Sequence, residues 1–132
     1  MLAALLLAAG VAGQTKIKRV PAKSSTSVEG LELYRQYCAV CHGTEGKGGG
    51  PAAAAMKATP TDLTRISQQN GGKYPEVRMQ RLINGESDSV VAHGSKDMPV
   101  WGPIFRQTSA NADLGAVKVF ALVKYLESIQ VK

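Results

Sequence analysis

Residues 38–42 read CAVCH and hold both cysteines of the 132-residue chain and one of its two histidines. Two thiols three positions apart, with an imidazole directly behind them, suit three kinds of chemistry. A redox dithiol of the thioredoxin kind places Cys-x-x-Cys at a helix N-terminus after a strand. Here the motif ends a helical pattern, and no strand-like run precedes it. A structural zinc site needs four ligands. Cys38, Cys41 and His42 supply three at most, adjacent Cys41 and His42 close poorly on one tetrahedral ion, and only His93 remains. The third chemistry is covalent attachment of a c-type haem, for which Cys-x-x-Cys-His is the recognised signal. Two cysteines on one side of a helical turn can each form a thioether, and the histidine behind them projects toward the iron.

Three segments have the periodicity to position such a motif. In VEGLELYRQYCAVCH, Leu31, Tyr34, Cys38 and Cys41 fall on one helical face, with N-cap candidates at Ser25 to Ser27. In YPEVRMQRLINGE, Val77 and Leu82/Ile83 share a face, Pro75 suits the start and Asn84-Gly85 the end. The third helix is expected from about Ala112 to Gln130, capped by Asn111 or Ser109. Its stripe is Val119, Leu122, Leu126 and Ile129, widened by Tyr125. Period-2 alternation is nearly absent, which argues against a sheet. The glycine- and proline-rich connections are long for a compact domain unless they serve a function. Wrapping a large flat ligand would be such a function.

The chain's length is that of one domain. Its first stretch, MLAALLLAAGVAGQ, is apolar from Leu2 to about Gly13, too short to cross a bilayer but suited to an export signal. No Lys or Arg precedes the run, so it is read as the tail of a longer signal or as one with an unusual start. The expected organisation is a cleaved signal over 1–13, a flexible basic linker over 14–29 and the folded domain over 30–132. A retained N-terminal anchor is the second reading. Export to an oxidising compartment fits haem attachment, and the expected location is the periplasm.

Net charge is +6, of which Lys16, Lys18, Arg19 and Lys23 carry +4 against Glu29 alone. From Gly30 onward 12 basic and 9 acidic residues leave +3, so only weak electrostatic steering is expected. The basic tail reads first as a solvated linker and second as a contact for anionic lipid or an acidic partner. No aromatics interleave with it and no nucleic-acid motif follows, which leaves nucleic-acid binding without support.

From roughly Gly30 to Lys132 the chain resembles the class I cytochrome c family, in particular its small bacterial monohaem members. GLELYRQYCAVCHG resembles the family's N-terminal helix running into its haem motif. GKGGGP resembles the glycine-rich loop ending in a proline, here Pro51, whose carbonyl usually receives the histidine Nδ1–H. TPTDLT resembles a pocket segment, DMPVWGPIF the distal loop with its methionine, and VKVFALVKYLESI the C-terminal helix. The resemblance implies an all-α fold of three or more helices. Long loops wrap one haem attached through Cys38 and Cys41, and the terminal helices cross, where Tyr34 and Tyr125 are expected to meet.

Four methionines are available as sixth ligand. Met1 leaves with the signal, while Met56 and Met79 sit where core packing is expected. Met98 precedes Pro99, which restricts its backbone, and Trp101-Gly102-Pro103 then suits closure over a haem edge. His42 and Met98 are therefore the expected iron ligands, and His93 is read as a solvent-facing loop histidine. Trp101, Arg78 and Arg81 are candidates for the haem propionates.

With both axial positions filled there is no open site for substrate, and no catalytic constellation accompanies the motif. The expected function is a monomeric periplasmic electron carrier that docks briefly with redox partner proteins. Alternatives are a subunit held permanently in a dehydrogenase or oxidase, and a haem sensor with a labile Met98.

Overall fold

Residues 30–42 form one helical stretch, α1, made of an α turn at Gly30–Leu33, a π-helical turn at Tyr34–Cys38 and an α turn at Ala39–His42. In the computed structural model, which describes residues 25–86 and 98–132, the π turn is closed by the Ala39 N–H donating to the Tyr34 carbonyl five residues back. That extra residue rotates the helix face away from a simple 3.6-residue register. Leu33, Tyr34 and Tyr37 are buried, whereas Leu31, expected on the core stripe, is 39% exposed. The expected serine caps are also absent. Ser25 and Ser27 instead accept from the backbone N–H groups of Ser27 and Glu29, at 3.1 and 3.0 Å.

Residues 25–29, expected to belong to the flexible linker, are tied to the body. The Ser25 N–H donates to the Tyr37 hydroxyl at 3.0 Å, and the buried Lys118 ammonium donates to the Ser25 carbonyl at 2.6 Å. The export segment and the basic quartet at positions 16–23 lie outside the described residues.

Four more helices follow among the described residues: α2 (Ile66–Gln69), α3 (Glu76–Asn84), α4 (Trp101–Thr108) and α5 (Ala112–Ser128). Short 3₁₀ turns occupy Ala53–Ala55 and Leu63–Arg65. Among these residues no strand occurs, and none of the helices they form is long and apolar enough to cross a membrane. The all-α expectation holds.

α3 begins after Pro75 and ends at Gly85 in the left-handed region, φ +75°, as its sequence demanded. Its buried face is Met79 and Ile83, however, and Val77 is 70% exposed. α5 is capped by Asn111, whose side chain accepts from the Leu114 N–H at 2.8 Å. Val119, Leu122 and Leu126 are buried as expected, joined by Val123 and Lys118. α4 was expected to be loop. Its helix is set by Phe105, fully buried, and Trp101, which stack at 5.8 Å and pack against α5.

The terminal helices cross where Gly30 meets Ala121, so closely that a β-carbon on Gly30 would run into the Ala121 carbonyl. Beside the crossing the rings of Tyr34 and Tyr125 meet at 5.1 Å, tilted by 45°. This is the contact anticipated between them.

Candidate haem site

α1 delivers Cys38, Cys41 and His42 to the wall of a cavity of about 480 Å³, within the ~300–1,000 Å³ usual for small-molecule and cofactor sites. Met98, Trp101, Leu63, Ile66 and Met79 form its other sides. A small, wholly apolar extension of about 40 Å³ reaches inward to Leu122 and Leu126 of α5, still bordered by His42 and Met98. Within the wall, Tyr37 packs on Trp101 at 5.2 Å and, at its back, on Phe105 edge-on at 5.1 Å. These contacts fix the side chains on which a flat ligand would rest.

The Nδ1 of His42 lies 3.0 Å from the Thr61 carbonyl oxygen. A carbonyl can only accept, so Nδ1 carries the proton and Nε2 keeps its lone pair. Burial lowers the His42 pKa, and the hydrogen bond to Thr61 offsets this only in part. The imidazole is therefore neutral at pH 7 and competent to bind a metal.

Pro51 does not supply that carbonyl. Its neighbours turn back onto α1: Gly50 N–H donates to the Cys41 carbonyl at 3.1 Å and Ala52 N–H to the Val40 carbonyl at 2.8 Å. Pro51 is consequently exposed and outside the cavity. The chain returns beneath the histidine ten residues later, at Thr61. Leu63 N–H donates to Gly46 O at 2.7 Å, and the Asp62 carboxylate accepts from the Thr64 N–H at 2.9 Å and hydroxyl at 2.6 Å. Nothing in the identity of Thr61 announces its role, because its backbone acts. The legible signs were the resemblance of TPTDLT, residues 59–64, to a pocket segment, with Pro60 and the turn-capping Asp62 flanking Thr61.

Cys38 and Cys41 are not joined to each other, and as thiols both are pushed up in pKa, Cys38 to about 12 by burial and then by Cys41, and Cys41 by burial. A reactive redox dithiol needs the opposite shift. Among the described residues no three His, Cys, Asp or Glu side chains gather into a metal-binding group of their own. Two protonated thiols, a neutral imidazole and a thioether on an apolar cavity do match the needs of a covalently held haem.

Of the propionate candidates, Arg78 and Trp101 line the cavity. Arg81 lies outside its lining and faces the Glu86 carbonyl at 3.5 Å. Met56 and Met79, expected only to pack, also line the cavity. His93 lies outside the described residues.

Crossed terminal helices enclosing such a cavity define a c-type cytochrome domain. The family model described as cytochrome c oxidase, cbb3-type, subunit III matches residues 26–126, and the chain belongs to that family. It is accordingly an electron carrier with a covalently attached c-type haem and its iron, working with redox partner proteins. Searches of curated proteins and of solved structures found no match.

Proposed function

We propose that this chain is a periplasmic carrier that passes single electrons between partner proteins, in which His42 and Met98 would hold the haem iron. The observation carrying this reading is the His42–Thr61 hydrogen bond, which leaves Nε2 free on the cavity that Met98 also lines. Cys38 and Cys41, both on the cavity wall, would hold the haem through thioether bonds. The bound haem supplies one-electron Fe(III)/Fe(II) chemistry, tuned by its axial ligands. The protein's own residues orient the imidazole, keep water from the apolar wall and present the thioether.

A second reading, a subunit bound permanently in a larger oxidase or dehydrogenase, is favoured by the oxidase-subunit description of the family and by exposed Val117 and Phe120 on α5. Their side chains are about half exposed, at 48% and 49%, and would suit a lasting contact.

Oxidised and reduced absorption spectra with a denaturing haemochrome assay test the site. One haem retained after denaturation, and lost in Cys38→Ala/Cys41→Ala, is expected. Size-exclusion of the native protein at high salt then separates the two readings. Elution at monomer size supports the carrier, and co-migration with a large complex supports the subunit.

A further inference from the structure

The last residues of the chain are stitched to the floor of the cavity. Gln130, just beyond α5, donates its side-chain N–H groups to the Leu63 and Leu126 carbonyls, both at 2.7 Å. Its side-chain oxygen accepts from the Ser67 N–H at 2.8 Å. The next residue repeats the pattern, Val131 N–H donating to the Thr64 carbonyl at 2.9 Å. The 63–67 segment is thereby fastened to α5, while Leu63 N–H fastens its start to Gly46. Two residues before Leu63 stands Thr61, whose carbonyl accepts from His42.

From this connectivity we infer that Gln130 is a positioning residue for His42. Resting on the axial role proposed for His42, it holds the Thr61 carbonyl at hydrogen-bond distance from Nδ1 and so sets the electron-donating power of the imidazole. The hydrogen bond to the far nitrogen of a metal-bound histidine raises its basicity. A more basic ligand stabilises the oxidised iron. α5 is itself locked to α1 at the Gly30–Ala121 crossing, so the fastening runs from rigid body to cavity floor through the Gln130 side chain and, beside it, the Val131 N–H. Gln130 is well suited to this because it meets three backbone groups at once, two carbonyls and one N–H.

The test compares holoprotein variants by redox titration and by NMR exchange of the His42 Nδ1–H in the reduced state. Gln130→Leu is expected to raise the reduction potential and to speed that exchange about fivefold, the equivalent of one weakened hydrogen bond of ~1 kcal/mol. Gln130→Glu keeps the acceptor for Ser67 but not the donors to Leu63, and should fall between Leu and the wild type. Asn111→Ala removes the cap at the far end of α5 and serves as the stability control. It should lower the denaturation midpoint while leaving potential and exchange unchanged. Wild-type potential and exchange in Gln130→Leu despite a lowered midpoint would overturn the inference, as would equal shifts in Asn111→Ala. A wild-type protein without a coordinated-histidine resonance overturns the axial reading and this inference together.

Discussion

Gly30 lies against the Ala121 carbonyl with no room for a side chain between them, and this contact sets how closely the two terminal helices cross. The Tyr34–Tyr125 ring pair and the buried Leu33, Leu122 and Leu126 gather around the same junction. The helix carrying the cysteines therefore has its angle fixed at a contact outside the lining of the cavity it serves.

Gly30→Ala should accordingly destabilise the holoprotein. The obstacle is backbone, which cannot swing aside, and overpacking of this kind costs ~1–3 kcal/mol. Urea denaturation should show a lowered midpoint with an unchanged absorption spectrum, since the ligands lie elsewhere. An unaltered midpoint would mean that the helices slide apart freely.

Met98→His tests the distal ligand. The oxidised wild type is expected to show the weak far-red band of a sulfur–iron(III) bond, and the variant to lose it. Its potential should fall, because methionine ligation raises potential relative to two histidines. If the band persists, the ligand is one of the other thioethers on the cavity, Met79 or Met56.

Alkaline stability should depend on Tyr34. Its hydroxyl donates to the Gly43 carbonyl at 2.6 Å, and burial above all pushes its pKa from about 10 to about 12. A folded-state pKa above the unfolded one gives stability that is full below pH 10 and is lost as pH rises through 12. At pH 9 Tyr34→Phe should cost ~1 kcal/mol, one buried hydrogen bond. The gap to wild type should narrow steadily above pH 10. Parallel stability curves for the two proteins across that range would show that Tyr34 does not titrate as described.

The local rules were legible where a residue's own chemistry acts on its neighbours. Pro75 and Gly85 bounded α3, and Asn111 capped α5, because fixed φ, positive φ and a capping oxygen are properties of single residues. Faces were less legible. The π turn at Tyr34–Cys38 moved Leu31 out and Tyr37 in, because periodicity counts residues and cannot see one extra residue in a turn. α4 was hidden because Gly102 and Pro103 read as loop. Pro103 instead sits within the first turn, where its missing N–H costs no helical bond.

By itself the sequence offered the candidate donors: two thiols and an imidazole at the spacing of a covalently held cofactor, with Met98, before Pro99, expected opposite them. Those are properties of side-chain type and short spacing. The tertiary structure alone decided which carbonyl meets His42, since backbone groups are identical in every residue. The turn of Gly50 back onto Cys41 carried Pro51 outward, and the packing of residues 61–67 against Gly46 and Gln130 brought Thr61 in.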